Sequence, residues 1–438
     1  MYNYQKIYNL YIIILRNKYK AIMNTVSLKI AQLFNQIDDQ QVDMLAELVT
    51  WCDINTGSTN FDGLNQLSEV LFAKLSEYGE AEFVDLPDRV VISDQGEEVS
   101  FASPPIVRLS LEQKNKPSIL LVGHYDTVYD KDHSFQVCTD LGNGLINGPG
   151  IADLKGGLSV MFKALECLRL SGLMGEIGIE ILLNPDEEIG SPCSGAYLVE
   201  RAKYHDVGLI FEPSLPDGTL VGERKGSGNF TVRVNGKAAH AGRNIEFGRN
   251  ALVHLMTLFN EIDALHGQKE GLTVNIASIQ GGGALNVVPD LAVGRFNCRI
   301  EKNDDIAWLE EKLASMISEY NSVEGYQATL FGGITRRPKP LTKANQNLQS
   351  FITETGGLLG IDVAYRATGG VCDGNNLSQS GLPNVDTLGV RGGDIHSINE
   401  YMVIDSLAER TKFVALILMR MAKGEFDFIR DSEKLNKA

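Results

Sequence analysis

The sequence predicts an α/β protein: a mixed, mainly parallel sheet flanked by helices, with a small β-α-β-β-α-β unit inserted into it. Three observations predict this. Short, continuous apolar runs alternate with helical periodicity through the first half of the chain, as buried parallel strands joined by crossover helices do. After about residue 224 the pattern changes to longer strands with clean apolar–polar alternation. After about residue 337 the first pattern resumes.

Taken in order, residues 27–52 and 61–78 have helical spacing, with Leu64, Leu67, Val70, Leu71 and Leu75 on one face of the second. The INTGSTNFDG stretch between them is loop chemistry, with Ser58, Thr59 or Asn60 available as N-caps. Pro117–Gly123 is a continuous apolar run and reads as a buried strand. Leu154–Leu170 is an amphipathic helix carrying Leu158, Met161, Leu165 and Leu168, ended by Ser171-Gly172. Ile177–Asn184 and Val207–Phe211 are further buried strands. Gly228–Asn235 then alternates, with Phe230, Val232 and Val234 on one face. A helix over Asn250–His266, strands over Leu272–Ile279 and Leu291–Ile300, a helix over Asp304–Tyr320 and a strand over Tyr326–Thr335 complete a ferredoxin-like order. Arg336–Pro340 reads as a linker. The expected organisation is a discontinuous catalytic domain, 23–224 with 338–438, and an inserted domain, 225–337. Residues 1–22 read as an N-terminal extension: Ile7–Leu15 is apolar and flanked by Lys6 and Arg16, but no small-residue cleavage site follows.

Composition narrows the function classes. The 438 residues carry 40 Lys plus Arg against 56 Asp plus Glu, a net charge of −16, which argues against nucleic acid as a partner. No run of 18 apolar residues occurs, so no membrane partner is expected. The six cysteines, Cys52, Cys138, Cys167, Cys193, Cys298 and Cys372, form no CxxC motif and read as small buried hydrophobes in a cytoplasmic protein; a periplasmic or secreted location is the lesser alternative. There is no GxSxG elbow, no HExxH helix and no GxxxxGK[ST] loop, so nucleophilic, mononuclear-zincin and nucleotide-hydrolase readings fail.

The informative residues sit where the predicted strands end. His124 and Asp126 follow the first buried strand, Asp186, Glu187 and Glu188 the second, Glu212 the third, and Asp394 and His396 follow the run NVDTLGV. Asp153 lies in the Gly-rich turn that opens the intervening helix. Ligands bind outside the carboxyl ends of open parallel sheets. His, Asp and Glu are ligands for Zn²⁺, with Co²⁺ and Mn²⁺ possible. Two histidines and three carboxylates suffice for two ions, one carboxylate bridging. Such a site acidifies a shared water and polarises a carbonyl, and one further carboxylate can take the water's proton. A lone histidine is more often structural and a lone Glu-Glu pair more often solvated; the weight lies in their shared placement.

Six blocks, GHYDTV (123–128), GPGIADLKGG (148–157), NPDEEIGS (184–191), FEPS (211–214), AAHAG (238–242) and DIHSINEY (394–401), together resemble the dinuclear-zinc family of glutamate carboxypeptidase (carboxypeptidase G), aminoacylase, acetylornithine deacetylase, succinyl-diaminopimelate desuccinylase and peptidase T. The resemblance implies a zinc-peptidase-like catalytic domain and two Zn²⁺ per subunit. It implies His124, Asp153, Glu188, Glu212 and His396 as metal ligands, with Asp153 bridging. Asp126 would orient His124, and Glu187 would be the general base. His240 would stabilise the oxyanion, often in a neighbouring subunit's site. Asn286, Arg336 or Arg337, and Gly369-Gly370 would contact substrate, and Cys372 stands where Ser or Thr is expected. The implied activity is hydrolysis of an amide next to a free carboxylate, in an N-acyl amino acid or short peptide. Aminopeptidase action on short peptides and a non-catalytic binding protein on the same fold are the alternatives. The resemblance includes homodimers joined through the inserted domain and also monomers, and a homodimer is expected here; the two crossings near 224 and 337 would let the two domains close over substrate.

Overall fold

A computed structural model describes residues 28–426; the expected extension at 1–22 lies outside the described residues. The first helical stretch is two helices, α1 (28–39) and α2 (Gln41–Cys52), followed by α3 (Phe61–Ser76), which Asn60 caps by accepting from Gly63 N. Next come β1 (Ala81–Val84), a hairpin of β2 (Arg89–Ile92) and β3 (Glu98–Phe101), then β4 (Ile106–Leu111) and β5 (Ser118–His124). A second hairpin, β6 (Thr139–Gly142) and β7 (Leu145–Asn147), precedes α4 (Lys155–Ser171), β8 (Gly178–Asn184), α5 (Gly195–Ala202), β9 (Val207–Ile210) and β10 (Leu220–Arg224).

The main sheet has the order β1-β4-β8-β5-β9-β16, where β16 is Asn384–Val385. The pairs β8–β5, β5–β9 and β9–β16 are parallel, whereas β1–β4 and β4–β8 are antiparallel. The sheet is therefore mixed, and its antiparallel edge, β1 and β4, was not among the expected strands. Alternation within the strands assigns its two faces. Ile119 and Leu121 of β5 and Ile179, Ile181 and Leu183 of β8 join the core under α2, α3, α4 and α10 (Ser406–Ala422). Leu120, Val122 and Leu182 face the other way, against Leu198 of α5 and Leu377 of α9 (Asp373–Gln379). Five of the cysteines are buried, as expected; Cys138 is only partly so.

The later segment runs β11 (Gly226–Asn235), α6 (Ala251–Asp263), β12 (Thr273–Gly281), β13 (Leu291–Ile300), α7 (Asp305–Asn321) and β14 (Gln327–Arg336). These strands form a separate antiparallel sheet, β12-β13-β11-β14. Phe230, Val232 and Val234 pack with residues of α6 and α7 in a core of their own. The expected linker at 336–340 is not one. Arg336 ends β14 and is buried, and Lys339 pairs through its backbone with Arg224 in both directions, at 3.1 and 2.9 Å. The Arg224 and Lys339 side chains both converge on buried Asp386. Two charges with a buried partner override the linker signal of Pro338 and Pro340.

The chain returns through α8 (Lys343–Leu358), β15 (Tyr365–Thr368), α9 and β16, then β17 (Gly392–Gly393), β18 (Tyr401–Val403) and α10. The expected strand before His396 shrinks to β16, so His396 is carried on a loop. No helix among the described residues is long and apolar enough to cross a membrane.

Candidate active site

Three neighbouring parallel strands deliver the first residues. His124 is the last residue of β5 and pairs in register with Asn184, the last of β8. Glu187 and Glu188 follow β8 on a short 3-10 turn, and Glu212 follows β9. Parallel pairing puts all three ends on one rim. Asp153 arrives on the loop before α4. That helix comes close to the end of β9 because residue 157 is glycine: a Cβ there would sit 2.0 Å from the Phe211 carbonyl oxygen. His396 closes the rim from the loop after β17, where His396 and Asp394 both hold left-handed φ angles, 62° and 51°. Non-glycine residues in that region cost energy and persist where surrounding structure demands it.

These side chains form two groups that share Asp153. His124, Asp153 and Glu212 make one; Asp153, Glu188 and His396 make the other. His124 Nε2 lies 3.2 Å from Asp153 Oδ1 and 3.8 Å from Glu212 Oε1. His396 Nε2 lies 3.3 Å from Asp153 Oδ2 and 3.1 Å from Glu188 Oε2. All are buried except His396, whose side chain is 53% exposed. No lysine or arginine pairs with Asp153, Glu188 or Glu212 among the described residues.

The electrostatics are those of acids short of positive charge. Burial and the Asp153 charge push Glu188 up to about 8. Burial, then Asp153, raises Glu212 as well. Burial alone would lower His124, but Asp126, Asp153 and Glu212 together hold it well above its usual range. Hydrogen bonds to Asp153 and Glu188 raise His396 to about 11.

Around the two groups is a positioning network. His124 Nδ1 is 3.1 Å from the Asp126 backbone carbonyl and 3.3 Å from its carboxylate. The Asp126 carboxylate chiefly grips the turn opposite, accepting from Glu187 N and Glu188 N, each at 3.1 Å, and from Ser58 Oγ at 2.8 Å. Arg336 Nη1 stands 2.8 Å from Glu187 Oε1, off line for a hydrogen bond, while Nη2 donates to the Glu187 carbonyl and to Ser191 Oγ. Arg336 is thus largely engaged in holding the Glu187 turn. Arg337 is exposed, and only its backbone carbonyl is used, accepting from Asn375. Gly369 and Gly370 are exposed, and the Gly370 carbonyl accepts from Arg224.

His240 and Asn286 are not brought to this rim. They lie together on exposed loops, after β11 and between β12 and β13, where Ala241 N donates to the Asn286 carbonyl and His240 bridges to Val287.

The sequence reading missed Arg299. A cavity of about 180 Å³ opens beside Glu188 and is lined by Ser227, Asn229, Arg299, Thr335 and Arg336. Arg299 Nη1 and Arg336 Nε are both buried there without a hydrogen-bond partner. Burial and the neighbouring Arg336 charge lower the Arg299 pKa. The available signal was alternation: Asn297 and Arg299 occupy the polar positions of β13 between buried Phe296, Cys298 and Ile300.

Divalent metals fit the two groups. His124 Nε2, Asp153 Oδ1 and Glu212 Oε1 are buried, converge within 4.8 Å and have no hydrogen-bond partner. Such atoms are costly unless a ligand satisfies them, and nitrogen with carboxylate oxygen is a donor set for a transition-metal dication.

A mixed sheet with acid–histidine groups at its strand ends defines the class, a metal-dependent amidohydrolase. The description Peptidase family M20/M25/M40 matches residues 120–420, and the chain belongs to that family. It is 27% identical over 402 residues to carboxypeptidase G2 of Pseudomonas sp. (strain RS-16), covering 90% of this chain and 92% of that protein. Succinyl-diaminopimelate desuccinylase of Nitrosococcus oceani is 28% identical over 343 residues, 74% of this chain and 89% of that one. Among solved structures, an M20 family metallo-carboxypeptidase from Sulfolobus solfataricus superposes with a TM-score of 0.68 at 17% identity, covering 86% of this chain and 99% of that one. A tripeptidase from Staphylococcus aureus superposes with a TM-score of 0.67 at 21% identity, covering 87% and 99%. At such identity these two structures speak for the fold.

Proposed function

We propose that this protein hydrolyses an amide bond next to a free carboxylate, in an N-acyl amino acid or a short peptide. One observation carries the reading: Arg299 and Arg336 line a small cavity beside Glu188, and each keeps a buried guanidinium nitrogen without a hydrogen-bond partner. A carboxylate satisfies both, and a planar guanidinium fork suits it better than an ammonium would.

In this reading His124, Asp153 and Glu212 hold one ion and Asp153, Glu188 and His396 the other, zinc being our assignment, with cobalt and manganese as substitutes. When bound, the ions supply the Lewis acidity that activates a water and polarises the scissile carbonyl. Asp126 fixes the Glu187–Glu188 turn through both backbone N–H groups. Glu187 then takes a proton from the attacking water and returns it to the departing amine nitrogen. Arg336 limits where the Glu187 carboxylate can swing, and Arg299 anchors the substrate carboxylate.

We assign residues 23–224 with 338–438 to a catalytic domain and 225–337 to a ferredoxin-like inserted domain, whose strand order β12-β13-β11-β14 supports that name. The separate cores support the division. His240 and Asn286 we assign to the site of a second copy. The same loops carry exposed Ile245, Phe247, Leu285 and Val287, apolar surface that a dimer contact would cover. Light scattering at the mass of one chain would remove this assignment.

The test of the activity is a panel of N-acyl amino acids, their carboxamides and unblocked dipeptides, with metal added. Turnover of the acids but not the carboxamides is expected. Arg299→Ala should lower kcat/KM for the acids about 100-fold, the loss of a charge-assisted pair worth about 3 kcal/mol. Cleavage of carboxamides as fast as acids overturns the reading.

A further inference from the structure

Glu400 is a buried carboxylate that none of the roles above uses. It sits four residues after His396, and its side chain turns inward behind Asp153. Oε1 accepts from Ala152 N at 2.9 Å and from Asp153 N at 3.0 Å. Oε2 accepts from Gly150 N at 3.1 Å, and the Tyr129 hydroxyl lies 2.8 Å from it. The same hydroxyl is 2.8 Å from the Ser397 carbonyl. The Glu400 backbone carbonyl accepts from Asn147 Nδ2 at 2.6 Å and from Gly148 N at 3.3 Å.

Three segments therefore meet on one residue. Tyr129 belongs to the loop after His124, Gly150–Asp153 is the loop of the shared carboxylate, and Ser397 follows His396. All four lone-pair positions of the Glu400 carboxylate face donors, three of them consecutive-loop backbone N–H groups that no helix or strand satisfies. We propose that Glu400 is the positioning residue of the centre: it fixes the Asp153 backbone, and so sets how one carboxylate serves both histidine-bearing groups. The proposal rests on the reading of Asp153 as a shared metal ligand.

Gln is nearly isosteric with Glu, but its amide NH₂ would confront either the Ala152 and Asp153 N–H groups or, turned over, the Gly150 N–H. The experiment compares Co²⁺ binding to metal-free wild type, Glu400→Gln, Tyr129→Phe and Asp153→Asn by titration calorimetry and by the visible Co²⁺ spectrum, which reports ligand geometry. Glu180→Gln, another buried carboxylate outside the site, controls for simple loss of stability. We expect Glu400→Gln to weaken Co²⁺ binding about 10- to 100-fold, as loss of a carboxylate that orients a ligand does. Its spectrum should change, Tyr129→Phe should show the same change in smaller measure, and Glu180→Gln should bind as wild type. Wild-type affinity and spectrum in folded Glu400→Gln overturn the proposal. Should that variant not fold, a wild-type spectrum in Tyr129→Phe overturns it. Asp153→Asn separates the two readings. If it binds Co²⁺ like wild type, the metal-centre assignment falls. If it loses Co²⁺ while Glu400→Gln does not, only the positioning role falls.

Discussion

Two histidine–carboxylate clusters sit on the same main sheet, one supplied with arginines and one, among the described residues, not. At the rim, Asp153, Glu188 and Glu212 face His124 and His396. Farther back on β8, Glu180 meets His205, whose Nε2 lies 2.6 Å from it, and the side chains of Arg108 from β4 and Arg201 from α5. The Glu180 cluster is balanced: every carboxylate oxygen has a cationic or imidazole partner, and neither oxygen is left unsatisfied. The rim is not balanced, and three of its buried atoms converge with nothing to bond. The difference teaches that a histidine beside a carboxylate does not by itself distinguish a structural cluster from a metal centre. The count of charges and orphaned lone pairs does.

The largest effect should separate the two clusters by function. Glu187→Gln should lower kcat by about 10²- to 10⁴-fold, the range for losing a general base, with metal content preserved by elemental analysis. Undiminished turnover would remove Glu187 from its role. Next in size is metal removal. Three crowded carboxylates should repel in the metal-free protein, so a chelator should lower Tm. Restoring metal at 1,000 times its Kd should return about 4 kcal/mol. Glu180→Gln should show the same metal-dependent increment, because its site is independent. Equal Tm with and without metal would mean that the rim's imbalance is not relieved by ions.

Glu180→Gln itself should cost about 3 kcal/mol in denaturant unfolding, since it leaves the Arg201 guanidinium without a carboxylate and Arg108 with Glu82 alone. Its kcat/KM should stay at the wild-type value. The smallest effect is on the acid limb of stability. Burial alone would raise the Glu180 pKa, but His205, Arg201 and Arg108 together bring it down from 4.5 to about 2. Its folded pKa lies below the unfolded one, so its contribution is complete above pH 4.5 and is lost as the pH falls towards 2. Tm measured across that window should decline less in Glu180→Gln than in wild type.

Much of the rim was legible because strand chemistry places it. His124, Glu187, Glu188 and Glu212 each follow a continuous apolar run, and a parallel sheet sends such ends to one side. Asp153 was legible from its Gly-rich turn, and His396 from its block alone, since the strand expected before it is only two residues long. Other parts were not legible. Arg336 was one of two candidate arginines in a stretch read as a linker, and its burial against Glu187 and Ser191 is what sets it apart from exposed Arg337. The Asp126 carboxylate was expected to orient His124, but it mainly holds the Glu187–Glu188 turn, while its own backbone carbonyl faces the imidazole. Nothing local distinguishes the two atoms. Arg299 was hidden because its cavity forms between the two sheets, and Glu400 because its three donors belong to a loop some 250 residues earlier in the chain.

By itself, the sequence determined the central strands β5, β8 and β9, the strands and helices of the 226–336 segment, the change of period near residue 224 and the acids and histidines waiting at strand ends. Those follow from local periodicity and from the direction of parallel strands. Only the tertiary structure decided which charges are balanced. Glu180 acquires two arginines, one from β4, 72 residues earlier, and one from α5, 21 residues later, whereas Asp153, Glu188 and Glu212 acquire none among the described residues. Ion pairing depends on distances of a few ångströms between distant segments, and those distances exist only once the sheet has been assembled.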